Sequence, residues 1–495
     1  MKKIFLSGIC ITIMAGLLSC SRHTATPDTP GKEHPADSIG AQDSTSLKYR
    51  ALHGATIQID PSFPYYQHRS NESIVDEIAL AGYTGVHYFV VNEQEVNGPL
   101  IAAFHKRGMP VWLMVVGNGT YSTKGLPAGW EQWKMEMTRE KNGEGFTFFS
   151  LFNKDFAAWK KQSLVKLLTD YPFDGVEMAE TYFPEWDAIR TGRYGDVGPV
   201  AQAAFKEKYN LGIPEFNNAS AANFYTKIPE IYKKWMQFRV DGVTDFLDEI
   251  YNGAGGVRAT HPNVLVATWS LVVDAGLNSV EKVREDHGLD VVEIVGKVKP
   301  DAHFFQTHWP DWIKTEKQLP PDYMKAYNIF TGPVHAPFPD LPLGFQADQG
   351  SGKDMIKSAA WVHQFNEAVP KYGYATWTTY EYHLGGYIYA GAPVPLKAVQ
   401  QGNDSVIVSF SKRIDETSGS NLANYKLMKE ARLQDQVIKK ITVDGNRAII
   451  ELNTSLTGTY SLVINNIGDT PALRLYKDTP LNTMEKQQEI AITKE

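Results

Sequence analysis

Cysteine is nearly absent from this chain of 495 residues: only Cys10 and Cys20 occur. Neither lies in a segment that reads as folded, which excludes disulfides, a thiol nucleophile and a cysteine metal site from the fold. The core alone must stabilise it, and the chain is long enough for that. Charge of one sign is also scarce. The formal charge is −7 and no dense basic block occurs, so nucleic acid is not an expected partner. There is no Gly-x-Ser-x-Gly elbow, no His-Glu-x-x-His, and no Gly-rich turn after the first strand to hold a dinucleotide. No cofactor and no metal are expected. The one long apolar run, Ile4 to Leu18, is too short and wrongly flanked for a spanning helix.

Met1-Lys2-Lys3 precedes that run and Ser19-Cys20 follows it, the order of a secretory signal. Leu17-Leu18-Ser19-Cys20 resembles a lipobox, which implies cleavage before Cys20 and acylation of its sulfur. Residues 1–19 are expected to be the signal, and loss of Lys2 and Lys3 would take the charge from −7 to −9. Residues 20–50, rich in Ser, Thr, Pro, Asp and Gly, read as a flexible tether. The expected location is the cell envelope, with the mature chain held to the outer membrane by its N-terminal lipid. Its periplasmic and surface faces both stay open.

Residues 51–392 alternate short apolar runs with helical periodicity, the pattern of βα units around a parallel sheet. Eight strands are predicted: Ala55–Ile59, Gly85–Val91, Pro110–Val116, Gly175–Ala179, Val264–Trp269, Ala302–Thr307, Asn328–Gly332 and Tyr374–Thr379. Helices are predicted at Ile231–Tyr251 and Lys353–Val369. The expected fold class is α/β, a (β/α)8 TIM barrel. The stretch from Tyr182 to Asn223 is expected to form a lid or wall beside the site. Residues 393–475 turn β-rich, with a hairpin signal at Asp444-Gly445. Phe410-Ser411-Lys412-Arg413-Ile414-Asp415, Asn424-Tyr425-Lys426-Leu427, Gly458-Thr459-Tyr460 and Asn466-Ile467-Gly468-Asp469 resemble bacterial Ig-like domains appended to secreted enzymes. That resemblance implies a small all-β sandwich. Residues 476–495 are expected to be a loose tail.

In such a barrel the reactive groups stand at the C-terminal ends of the strands. The fourth strand reads Gly175-Val176-Glu177-Met178-Ala179-Glu180. Alternation puts Glu177 with Gly175 and Ala179 on the inner face, and Glu180 where strand gives way to loop. The bland reading of Glu177 is a buried partner for a cation such as Arg239. Tyr182, Phe183 and Trp186 follow, suited to wall a sugar site. The eighth strand leads to Tyr380-Glu381-Tyr382-His383, and the sixth to His308-Trp309-Pro310-Asp311. Glu381 and Asp311 are both candidates for a second carboxylate. Asp60, Asn92, Asn118, Trp269 and His335 lie near other predicted strand ends and are candidate ligand contacts, as are Tyr182, His308, Trp309, Tyr380 and His383. The metal reading left open is a scattered site from His308, His335 and His383 with Asp60 and Asp311.

Phe173-Asp174-Gly175-Val176-Glu177 with Glu180, Phe205-Lys206-Glu207-Lys208-Tyr209, Trp235-Met236-Gln237-Phe238-Arg239, Val243-Thr244-Asp245-Phe246-Leu247 and Val257-Arg258-Ala259-Thr260-His261-Pro262 resemble glycoside-hydrolase-like barrels of the broad clan A kind. The resemblance covers residues 55 to 390. It implies a carbohydrate-active enzyme with Glu180 as acid/base. It also implies a glutamate nucleophile after strand seven, where the predicted strand leads instead to Pro333 and His335. The expected function is a lipid-anchored glycosidase acting on an oligo- or polysaccharide, with Glu180 and Glu177 at one side of the bond and Glu381 or Asp311 at the other. The rival readings are a glycan-binding lipoprotein without catalysis and a metal-using hydrolase.

Overall fold

Short apolar strands followed by amphipathic helices give a parallel sheet one compact way to bury both its faces, closure into a barrel. The computed structural model describes residues 46–91, 95–139, 146–348, 352–384, 388 and 390–494, without the side chains of Asp354 and Tyr380. Eight strands close the barrel: β1 Gly54–Ile59, β2 Gly85–Phe89, β3 Val111–Val116, β4 Gly175–Ala179, β5 Leu265–Val272, β6 Ala302–Thr307, β7 Leu343–Ala347 and β8 Thr376–Glu381. Strands adjacent in this order pair in parallel, and β8 returns to β1 from Gly54↔Thr376 onward.

Three sequence expectations need correction here. The predicted strand Asn328–Gly332 is part of a helix, Asn328–His335, which buries Phe330, Thr331 and Val334. The true β7 escaped notice because its inward positions are Gly344 and Gln346, which carry no apolar signal. His335 ends that helix, and its Nε2 comes within 3.8 Å of where a Cβ on Gly373 would stand. Gly373 precedes β8, so His335 belongs to the N-terminal face, opposite the mouth. The tether ends sooner than expected: Ser46 caps a helix, Leu47–Leu52, by accepting from Tyr49 N. Ala51 O of that helix accepts from Trp112 Nε1 at 3.2 Å. The predicted helix Lys353–Val369 begins only at Ala359, with Ser358 as its cap. The helix Pro229–Tyr251 buries Trp235, Phe238, Val243, Phe246, Leu247 and Ile250, as the periodicity required.

The barrel interior is filled in layers. A Cβ on Gly175 would lie 2.3 Å from Trp112 Cε3, and one on Gly344 would lie 2.2 Å from Phe304 Cδ1. These two glycines make room for the aromatic pair at the barrel floor, whose burial is worth about 1.5–3 kcal/mol per ring. Above them the layer turns polar around Glu177. The stretch after β4 forms short helices, Ala188–Thr191 and Pro199–Tyr209, over a separate aromatic core of Tyr194, Phe205, Phe216, Trp235 and Phe238.

The C-terminal part is all β: β9 Pro395–Gln401, β10 Ser405–Phe410, β11 Tyr425–Lys429, β12 Arg432–Leu433, β13 Ile438–Asp444, β14 Arg447–Leu452, β15 Tyr460–Ile464 and β16 Gln488–Lys494. They form one sheet in the order β12-β11-β15-β16-β9-β10-β14-β13. It is curled around its own apolar core, with Val406, Val408, Phe410, Ile450 and Leu462 fully buried. Asp444 pairs with Arg447, so the hairpin is present but its turn is Gly445-Asn446, one residue beyond the expected Asp444-Gly445. The expected loose tail is corrected by β16, a central strand between β15 and β9. Its Ile490 and Ile492 pack against the domain core.

Candidate active site

Glu180 is the residue at which β4 stops being a strand. Its backbone is left-handed, with φ of 55°, a conformation that costs a non-glycine residue energy and persists only where neighbours enforce it. The enforcement is local. Gly117 N donates to Ala179 O at 2.6 Å. Asn118 Oδ1 accepts from Tyr182 N at 3.0 Å, and Asn118 Nδ2 donates to Tyr182 O at 3.0 Å and Phe149 O at 3.2 Å. Asn118 is fully buried and serves as a clamp on the turn; its polar atoms are engaged by backbone and not offered to a ligand.

The turn carries the Glu180 side chain into a small pocket at the barrel mouth, lined by Gln58, Phe89, Met114, Val116, Tyr121, Ala179, Glu180 and Gln306. Burial, and then the charge of Glu381, pushes its pKa up to about 7. Among the described residues it has no hydrogen-bond or ion-pair partner. Tyr121, 51% exposed, is pushed up chiefly by Glu180. Tyr182 is raised by burial and then by the same carboxylate.

Glu381, at the end of β8, is gripped at both oxygens. Gln58 Nε2 donates to Oε1 at 3.0 Å, and His383 Nε2 lies 2.8 Å from Oε2. Gln58 Oε1 is buried and has no hydrogen-bond partner among the described residues. His383 is fully buried, with the Phe63 ring tilted against it at 3.9 Å and the Tyr66 ring edge-on at 5.6 Å. Asp60 joins this side of the mouth. Ser62 donates to its Oδ1 from Oγ at 2.6 Å and from N at 2.9 Å. Burial raises the Asp60 pKa most, Ser62 opposes that, and Glu381 adds to the rise.

The other predicted residues fall elsewhere. Glu177 is fully buried in the barrel, receiving His87 Nδ1 at 2.7 Å and Gln346 Nε2 at 2.7 Å. Its partner is not Arg239, whose guanidinium sits between the rings of Phe183 and Tyr194 at 4.4 and 4.1 Å and donates to Asp286 O at 2.8 Å. Asp311 accepts from Asp274 N at 2.8 Å, Tyr327 Oη at 2.7 Å and Lys314 Nζ at 2.7 Å. It pins loops together, and Glu381 is the carboxylate whose charge acts on Glu180. Trp269 is 1% exposed, its Nε1 donating to Gln306 and Gln346, so its ring is core beneath Tyr182 and not an open platform. Asn92 and Cys20 lie outside the described residues, as does the side chain of Tyr380.

His308 is buried against a residue that sequence reasoning missed, His287. Phe183 O can only accept, so His287 carries its proton on Nδ1 (2.8 Å) and presents Nε2 as an acceptor to His308 Nε2 at 3.0 Å. Burial pushes His287 down to about 3 and His308 well below its ordinary value. The pair is a neutral support for Trp186, which packs edge-on to His308 at 5.2 Å, and for Trp309, which is 40% exposed. Nothing in a strand pattern marks His287, since it ends the helix Ser279–His287. Among the described residues, no three His, Cys, Asp or Glu side chains stand close enough to share a metal ion.

No protein-family model matches the chain, and no curated protein matches its sequence. Solved structures that resemble it are glycoside hydrolases. The PgaB (BpsB) glycoside hydrolase domain from Bordetella bronchiseptica aligns with a TM-score of 0.49 at 14% identity, over 66% of this chain and 93% of that one. A β-galactosidase from the psychrophilic Marinomonas ef1 gives 0.47 at 11% identity, over 66% of this chain and about half (54%) of that one. The PelA glycoside hydrolase domain from Pseudomonas aeruginosa gives 0.36 at 9%, over 66% and 94%.

Proposed function

We propose that the protein is a glycoside hydrolase in which Glu180 is the general acid. The observation that carries this reading is a carboxyl with no bonding partner among the described residues, set in the barrel-mouth pocket, raised to about 7 and facing the charge of a second carboxylate. A group with that pKa keeps a substantial protonated fraction near neutral pH and can give its proton to a departing glycosidic oxygen. Glu381, fixed by Gln58 and His383, then serves as the nucleophile at the anomeric carbon or as the base for an attacking water. The unpartnered Oε1 of Gln58 is an acceptor for a ligand hydroxyl. Tyr121 and Trp309 offer exposed ring faces to sugars. The substrate class is an oligo- or polysaccharide, met at a membrane to which Cys20 tethers the chain. The anchor rests on the Lys2-Lys3, apolar-run and Leu17–Cys20 pattern, and the outer membrane is its proposed place.

A non-catalytic glycan-binding protein is the second reading. The observation favouring it is that β7 ends at Ala347 and is followed by Asp348, without the glutamate that the clan A resemblance implies there.

The test is hydrolysis of an oligosaccharide panel by the wild type and by Glu180→Gln. Loss of the acid should cost about 10²–10⁴-fold in rate. The wild-type rate should fall as pH rises past about 7, where Glu180 loses its proton. A Glu180→Gln protein that folds and keeps full activity contradicts the assignment. Sugar binding without turnover on any substrate supports the second reading.

A further inference from the structure

The C-terminal β domain is bonded to residues 61–77, which run from the end of β1 into the helix Asn71–Leu80. Arg413 Nη1 donates to Tyr65 O at 2.5 Å and Gln67 O at 2.8 Å, and Arg413 N donates to Tyr65 Oη at 3.1 Å. The β13–β14 hairpin holds the segment's other end. Asp444 Oδ1 accepts from Ser70 N at 2.7 Å, Arg69 Nη2 donates to Asn446 Oδ1 at 3.1 Å, and Arg447 Nε donates to Asp76 Oδ2 at 3.3 Å. Within the segment, buried Glu77 accepts from Tyr65 Oη at 2.5 Å and Arg69 Nη1 at 2.6 Å. Most of these bonds are charge-assisted, the kind that fix geometry more than they add stability.

The near end of the same segment reaches the mouth. Phe63 N donates to Asp60 O at 3.1 Å and Tyr66 N to Phe63 O at 3.0 Å, so residues 60–66 form a tight run of turns. Phe63 and Tyr66 pack on His383, and His383 stands 2.8 Å from Glu381. We propose that the β domain is a positioning element of the active site: Arg413 and the Asp444–Arg447 hairpin clamp residues 61–77, and through Phe63 and His383 they fix the Glu381 carboxylate. Arg413 and Phe63 are positioning residues that touch no substrate. The inference rests on the proposed roles of Glu180 and Glu381, and it assigns the second domain work at the barrel mouth.

The test follows the Glu180 carboxyl by ¹³C NMR in full-length protein labelled at glutamate side chains, with Glu180→Gln to assign the signal. Arg413→Ala lets the segment relax and Glu381 move away, so the Glu180 midpoint should shift down from its wild-type value. Phe63→Ala should shift it in the same direction. Thr493→Ala, whose hydroxyl bonds within the β domain to Ala398 O, should leave it unmoved. If Arg413→Ala does not fold, Arg413→Lys, with fewer donors for the same carbonyls, should give a smaller shift of the same sign. An unchanged midpoint in the folded Arg413 variant, or an equal shift in Thr493→Ala, overturns the proposal. On a hydrolysed substrate Arg413→Ala should lower kcat with KM little changed, and Arg413→Lys should restore part of it. If no substrate is turned over by the wild type, the hydrolase reading fails while the titration still decides the clamp.

Discussion

Glu177 and Glu180 lie on one short strand and its turn, yet they occupy opposite kinds of environment. Glu177 points into the polar middle layer of the barrel, where both of its oxygens are bonded and no solvent reaches it. Glu180 points into the mouth, partly exposed, with no bonding partner among the described residues and a second carboxylate acting on it. A buried acid with its partners in place is structure; an acid denied partners, with its proton held near neutrality, is a group poised for chemistry. The difference arises from the left-handed turn at Glu180, which Asn118 enforces.

The largest expected effect falls on the structural member of the pair. Glu177→Ala leaves His87 and Gln346 buried without their acceptor and should cost about 3–5 kcal/mol of stability, read from urea unfolding. A loss under about 1 kcal/mol would erase the contrast. Glu180 should behave in the opposite sense. Its folded pKa of about 7 lies above the ordinary 4.5, so the folded state binds the proton more tightly than the unfolded one. The stability this provides is fully present below pH 4.5 and is lost as pH rises through 7. Glu180→Gln should therefore be more stable than wild type by about 1–3 kcal/mol at pH 8, with the gain shrinking towards pH 4. A variant that is less stable at both pH values would place Glu180 among the structural groups. The smallest effect belongs to the mouth's unpartnered acceptor. Gln58→Leu should weaken saccharide binding by about 1–2 kcal/mol, seen by calorimetry.

Much of the barrel was legible in the sequence, for reasons that also explain the gaps. β4 and β6 read residue for residue because their apolar runs are bounded by turn residues. β7 did not, because its interior faces hold a glycine making space for Phe304 and a glutamine bonded to Glu177. The β-branched and aromatic run at 328–332 looked like a strand, but its Phe330 and Val334 pack as one helix face. β16 carried a period-two signal in Ile490 and Ile492, masked by its place after a polar stretch. Glu180 could be ranked from its position at a strand end. Choosing between Glu381 and Asp311 could not be done from position, since both follow strands. The choice depends on donors distant in sequence: Tyr327 and Lys314 engage Asp311, whereas Gln58 and His383 orient Glu381.

The central claim is that Glu180 protonates a leaving group, and leaving-group dependence tests it most directly. Wild type and Glu180→Gln are compared on a pair of aryl glycosides of the same sugar, one with a dinitrophenol that departs without protonation and one with a poor phenol leaving group. In kcat/KM, which reports cleavage of the glycosidic bond, Glu180→Gln should stay close to wild type on the first substrate and lose about 10²-fold or more on the second. Equal losses on both substrates would contradict it.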